Sequence, residues 1–324
     1  MKKNTLLCLF IFALLPCFAQ QADTSKKRLL TTTKNAVNFI AMGDFGRNGE
    51  DKQKEVAVQM GKTAKELNAG FFIITGDNFY PSGVASTQDY SWLASFEQVY
   101  TAHSLQNPWY VVLGNHDYKG NVQAEIDYTK ISRRWYMPSR YYSRTVPINE
   151  DTTQKILFIF LDTSPFITKY YSSEDHKSNI QTQDTAAQKS WLDHLLQNRT
   201  PDIKWTFIVG HHPLFTGGKR MNEDDTRDMY NSFKPVFDKY KVDAYICGHE
   251  HSLQYIQPAG RTSYFITGAG SETTKASLYP EVGKFARQIN GFMCFSVTQK
   301  DMLIQIVSVE GDILYTDKIT RQSP

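Results

Sequence analysis

Five short apolar runs in this chain stop at a glycine and pass at once to a side chain that can bind a metal ion. The runs are VNFIAMG (37–43), FFIIT (71–75), WYVVL (109–113), KWTFIVG (204–210) and DAYIC (243–247). They lead into Asp44 in GDFG, Asp77 and Tyr80 in GDNFY, Asn115 and His116 in GNHD, His211 in GHHP, and His249 and His251 in GHEH. Taken one at a time, each has an ordinary explanation as a turn, an Asx cap or a satisfied histidine. Five in succession are hard to explain that way. In α/β sheets ligands collect beyond the carboxyl ends of strands, and here a glycine at each end is expected to let the backbone turn sharply.

The segments between these runs carry helical patterns. Residues 51–68 place Val56, Met60, Ala64 and Leu67 on one face, and further helices are expected over 88–100, 184–197 and 225–240. Another strand is expected at KILFIFLD (155–162). This alternation argues for βαβ units and buried sheets. Beyond residue 251 the pattern changes to strands alone: LQYIQ, TSYFIT, FMCFSVT, MLIQIVSV and ILYTDKI. With no Pro-, Gly- or Ser-rich linker in between, the reading is one domain over 37–318, with an α/β front and a β-rich back.

The amino terminus, MKKNTLLCLFIFALLPCFAQ, has the basic start, apolar stretch and small Ala19 of a secretory signal over residues 1–19. It is short for a membrane span, although an uncleaved anchor remains the alternative. No later stretch reaches spanning length, so a soluble chain, secreted or periplasmic, is expected. Removing Lys2 and Lys3 with the signal takes the net charge from +3 to +1. A nearly neutral chain lacks the basic footprint of a nucleic-acid binder. Cys247 and Cys294 remain, both in apolar runs, and are read as buried thiols, with a disulfide between them as the alternative.

Asp44-Phe45-Gly46 has the form of the magnesium-binding triplet of protein kinases, but the Gly-rich loop, the V-A-I-K strand and the H-R-D loop are missing. The donors Asp, Asn, His and Tyr, with no Cys among them, suit iron, zinc or manganese. In order and type the series resembles the metallophosphoesterase (calcineurin-like) superfamily, whose motifs run GD, GD, GNH, GH and GHxH. Tyr80, three residues after Asp77, narrows the resemblance to the purple acid phosphatases, and ICGHEHSLQYI is similar to the tartrate-resistant type.

The resemblance implies an α/β fold, the four-layer α/β/β/α sandwich with two mixed sheets flanked by helices. It implies Fe(III) held by Asp44, Tyr80 and His251, and a second divalent ion (Fe, Zn or Mn) held by Asn115, His211 and His249, with Asp77 bridging. Two such ions about 3.5–4 Å apart clamp phosphate and lower the pKa of a bound water. A phenol with an ordinary pKa near ~10 needs a strong Lewis acid to stay ionised in acid, which favours ferric iron at Tyr80. The implied activity is hydrolysis of small phosphate monoesters, by attack of a metal-bound hydroxide, in a secreted acid phosphatase. A phosphodiesterase or nucleotidase on the same scaffold, or a non-catalytic metal- or phosphate-binding protein, are the alternatives.

The resemblance also implies that His116 touches substrate phosphate and helps protonate the leaving alkoxide, with Asp117 orienting it. One departure stands out. Tartrate-resistant enzymes carry another His several residues after the GH motif, whereas HHPLFTGGKRMNEDD offers only the adjacent His212. Substrate contact is therefore expected from His116, His212 and a cation, Arg220 or Lys219. Two loops are expected to shape access: YPSGVAS (80–86), and the polar 164–184, read as structureless. A loop near the latter restrains activity in the tartrate-resistant type until it is cut; a plain exposed insertion is the alternative.

Overall fold

The computed structural model describes residues 29–148 and 151–322; the expected signal segment lies outside them. In chain order the strands are β1 (Val37–Met42), β2 (Phe71–Ile74), β3 (Trp109–Val111), β4 (Trp135–Tyr136), β5 (Tyr142–Ile148), β6 (Asp151–Phe160) and β7 (Ile203–Val209). They continue as β8 (Ala244–Cys247), β9 (Leu253–Ile256), β10 (Ser263–Thr267), β11 (Gly283–Arg287), β12 (Gly291–Val297), β13 (Asp301–Ser308) and β14 (Ile313–Thr320).

These strands form two mixed sheets, ordered β14-β13-β12-β1-β2-β3-β4 and β11-β9-β10-β8-β7-β6-β5. The two halves of the sequence are therefore not two halves of the molecule. β12 pairs antiparallel with β1, and β10 pairs parallel with β8, so the β-rich back completes both sheets. Phe39 of β1 shows how the sheets meet. Its ring stacks on Phe71 and Phe295 of its own sheet and meets Phe158 and Phe207 of the other edge-on, at 5.3 and 5.7 Å. Truncating a side chain in such a position typically costs about 3–5 kcal/mol.

Helices cover the outer faces. α1 (Gln53–Leu67) buries the expected Val56, Met60, Ala64 and Leu67 and ends at Asn68 in the left-handed conformation, φ 53°. α2 (Val122–Tyr128) and α3 (Lys177–Ile180) are short. α4 (Thr185–Gln197) starts where Asp184 caps the Ala187 N–H, and α5 (Asp224–Lys239) lays Phe237 against Tyr245 of β8. The order of layers is α/β/β/α, as expected. Cys247 and Cys294 are buried free thiols.

One local expectation holds only in part and one fails. The pattern over 88–100 yields a short helical stretch in which the Gln98 N–H reaches five residues back to Leu93 O, a widened turn that buries Trp92 and Phe96. Residues 164–184 are not an unstructured insertion. They form the 3₁₀ turns Ser164–Phe166 and Thr168–Ser172 followed by α3, with Ile167, Tyr170, His176 and Ile180 buried. Apolar residues at irregular spacing give no period to read, yet Phe166, Ile167, Tyr170 and Ile180 all reach the core, while Tyr171 stays exposed.

Candidate metal centre

The five expected strand ends converge on one edge, where both sheets present their carboxyl termini. Asp44 and Asp77 follow β1 and β2, Asn115 follows β3, and His211 and His249 follow β7 and β8. The loops are tied to each other by backbone bonds, Asp44 N to Gly76 O at 3.0 Å and Gly248 N to His211 O at 3.0 Å.

The sharp turns expected of the glycines are made largely by the functional residues themselves. Asp44, Asp77 and His249 have φ of 57°, 50° and 67°, a region costly for most side chains but more open to Asp and His. Of the five preceding glycines, only Gly76 has positive φ, 89°. The others matter through what they lack: a Cβ on Gly248 would collide with Asp44 Oδ2, and one on Gly114 with Asp77. The packed carboxylates leave no room there.

The donor atoms fall into two groups. In the first, Tyr80 OH lies 3.2 Å from Asp44 Oδ1, 3.0 Å from Asp77 Oδ2 and 3.1 Å from His251 Nε2, with His251 Nε2 3.4 Å from Asp44 Oδ1. In the second, His211 Nε2 lies 3.2 Å from Asn115 Oδ1, 3.1 Å from His249 Nδ1 and 3.4 Å from Asp77 Oδ2. Asp77 Oδ2 belongs to both. Atoms bound at about 2.0–2.2 Å to one ion sit roughly 3 Å apart at neighbouring positions, so both groups have the spacing of a first coordination shell.

Protonation supports the fit. His211 Nδ1 is 2.8 Å from Thr75 O and His249 Nε2 is 3.0 Å from Asp225 Oδ2. Each of those nitrogens must donate, so in a neutral ring the lone pair falls on the nitrogen facing the other ring. Two lone pairs 3.1 Å apart repel unless a proton or a metal ion lies between them. Burial opposes a charged His211 ring, but the carboxylates of Asp77 and Asp44 raise its pKa, so the pocket favours positive charge at that point. Burial, then the charges of Arg220 and His211, hold the His249 imidazole well below its ordinary pKa, so it is neutral. Burial works against ionised Asp77, but the charge and hydrogen bond of His211 hold its carboxyl well below the usual range. Burial and the carboxylates of Asp77 and Asp44 push the Tyr80 phenol far up. It ionises only beside a strong Lewis acid.

The remaining expected residues separate. His116 packs its ring on Tyr80, centroids 4.4 Å apart, and its Nδ1 sits 2.6 Å from Pro81 O. Asp117 does not orient it. The turn Asp117–Lys119 points that carboxylate inward, where it accepts from the N–H groups of Asn78, Phe79 and Gly114 and from Asn78 Nδ2. Asp117 is thus a buried staple of the site loops. His212 is fully buried, its two ring nitrogens 2.9 Å from Thr163 Oγ1 and 3.0 Å from Tyr170 OH, so neither is open to substrate. Arg220 donates to His249 O at 2.9 Å and faces Glu250 and Asp225, which commits it to the scaffold. Among the described residues Lys219 makes no ion pair.

Several residues at the site gave no sign in the sequence. Asp225 stands at the start of the helix expected over 225–240 and follows no glycine-closed apolar run. Arg47 lies over the Tyr80 ring at 3.9 Å while pairing with Glu272. Segment 164–184 closes one side: Tyr170 reaches His212, and His176 Nε2 is 3.1 Å from Asn115 O.

Known proteins share this framework. The family model of calcineurin-like phosphoesterases matches residues 37–253. The chain is 33% identical to purple acid phosphatase 7 of Arabidopsis thaliana over 297 residues, 89% of this chain and 87% of that protein. It is 32% identical to tartrate-resistant acid phosphatase type 5 of Oryctolagus cuniculus over 309 residues, 89% of this chain and 92% of that one. Among solved structures, GAP50, the anchor in the inner membrane complex of Plasmodium, matches with a TM-score of 0.77 at 22% identity, covering 89% of this chain and 90% of that one. That last likeness concerns the fold alone.

Proposed function

The chain belongs to the calcineurin-like phosphoesterases, in the purple acid phosphatase family, and from that premise we propose that it is an exported acid phosphatase hydrolysing small phosphate monoesters at a mixed Fe(III)–divalent centre. The observation that carries this reading is the pair of four-atom donor groups sharing Asp77 Oδ2. Asp44, Tyr80, His251 and Asp77 would hold the ferric ion. Asn115, His211, His249 and Asp77 would hold the divalent one. When bound, the pair would polarise the phosphoryl oxygens and acidify water.

The chain's own residues do the rest. The His116 N–H holds Asp77 Oδ1 at 2.8 Å, leaving Oδ2 to both donor groups. Thr75 O and Asp225 fix the rings of His211 and His249. Pro81 O accepts a hydrogen bond from His116 Nδ1–H, so Nε2, protonated when the ring is charged, is the atom that delivers a proton to the leaving alkoxide. Export rests on the expected signal at 1–19; among the described residues no helix is long and apolar enough to cross a membrane.

The test is metal analysis and a visible spectrum of purified protein, with turnover of a monoester measured beside a diester. Two ions per chain, a tyrosinate band and a preference for the monoester are expected. A single ion per chain, or preference for the diester, would overturn the reading.

A further inference from the structure

At the opposite edge of the second sheet, where β7 and β8 begin, lies a cavity of about 380 Å³. Arg199, Lys204, Lys239, Lys241, Arg261 and Arg321 line it, and among the described residues Asp243 is the one acid in its wall. Lys239 has its own partner, Asp193, at 3.1 Å. The others have little to offset them.

The guanidinium groups are held in place from behind. Arg261 Nε donates to Asp243 Oδ1 at 2.7 Å, and the other oxygen of that buried carboxylate accepts the Thr206 N–H at 2.8 Å. Arg321 Nε donates to Lys204 O at 2.6 Å. Neither arginine uses its Nη groups in a hydrogen bond or ion pair among the described residues, so two forks of donors are fixed at the stem and unengaged at the tip. Arg199 is the exception, spending its donors on Leu196 O, Thr206 Oγ1 and Tyr240 O. It adds charge to the wall and few free donors. Lys241, in the left-handed region at φ 52°, is exposed, and its ammonium meets no acceptor among the described residues.

Half-buried cations packed around one carboxylate repel each other unless an anion joins them. Fixed guanidinium forks match the oxygens of phosphate in pairs. The number of charges and the room available fit a condensed phosphate better than a single small anion. We infer that this cavity is a second anion site, separate from the hydrolytic edge, that binds a compact anion carrying two or more phosphates.

Titration calorimetry of the metal-loaded protein with methylenediphosphonate, whose P–C–P linkage is not hydrolysed, tests this. Wild type should bind two equivalents. Arg321→Gln and, separately, the exposed Lys241→Glu should remove one equivalent or weaken it at least about tenfold, with kcat/KM for a small aryl monoester unchanged. Phosphatidylcholine vesicles carrying a phosphoinositide form a second arm. Vesicle binding lost in both variants would support the site with its phosphates on a lipid headgroup. Equal stoichiometry and affinity in all three proteins, however many equivalents bind, overturns the inference.

Discussion

Asp225 Oδ2 lies 3.0 Å from His249 Nε2, and Asp225 is fully buried at the start of α5. The same oxygen accepts Lys169 Nζ at 3.0 Å, and Asp228 one turn on accepts the Thr168 N–H, so the closing segment and the histidine hang on one helix end. Partners of this kind set the tautomer and basicity of a ligating imidazole, and their loss typically costs about 10–100-fold in metal affinity. Asp225→Asn should therefore release the divalent ion faster to a chelator while the ion at Tyr80 stays. Loss of both ions together, or unchanged kinetics of release, would count against a specific hold on His249.

Tyr80 allows an optical measurement. Its ring is packed between Arg47 and His116, and a phenylalanine fits the same space. Tyr80→Phe should keep two ions per chain and lose the visible band expected of a tyrosinate on ferric iron. Retention of the full band would remove Tyr80 from the ferric group.

How much of this was legible follows from where each residue's partners sit. The seven donors were readable because each stands one to four residues past a glycine that closes an apolar run, a local signal. Asp225 was not, because its partner lies 24 residues further along, beyond α5 and β8, and its own surroundings, NEDDTRD, have the composition of a solvated helix start. Asp117 was misread for the opposite reason. Adjacency to His116 suggested partnership, but the helical turn sends the two side chains apart. In the fold, β5 escaped notice because Pro147 interrupts its pattern. It is tolerated there because β5 is the edge of its sheet. No residue count over 164–184 could show that Tyr170 and His176 would dock on His212 and Asn115.

Glu125, which accepts a hydrogen bond from Asn78 Nδ2 at 3.0 Å beside the Asp117 staple, predicts a pH dependence of stability. Burial pushes the Glu125 carboxyl up to about 8, with hydrogen bonding by Asn78 and Asp117 opposing the rise and the charge of Asp77 adding to it. In the unfolded chain a glutamate titrates near ~4.3. The fold therefore binds a proton that the unfolded chain has lost. That contribution is complete below pH ~4.3 and disappears as pH rises through about 8. Glu125→Gln cannot lose this proton. Its melting temperature should fall less than that of wild type between pH 5 and 8, the interval in which the difference develops. Parallel melting curves for the two proteins across that interval would contradict a protonated Glu125.

His116 is the residue whose removal separates proton delivery from metal binding. Its backbone N–H holds Asp77 and survives substitution, so His116→Ala should retain both ions. What it loses is the imidazole, with Nδ1 fixed on Pro81 O and Nε2 left for the leaving group. General acid help is worth about 10²–10⁴-fold in rate, and it matters only where the leaving alkoxide is a poor one. An alkyl phosphate should therefore lose turnover over that range, while an aryl phosphate with an acidic phenol loses much less. Equal losses on both would assign the ring to phosphate binding. No loss on either would take His116 out of the reaction. His212 cannot inherit the role without moving, because Thr163 and Tyr170 occupy both of its nitrogens. The double variant His116→Ala/Tyr170→Phe checks that point: freeing Nε2 of His212 should not restore alkyl phosphate turnover if the proton comes from position 116.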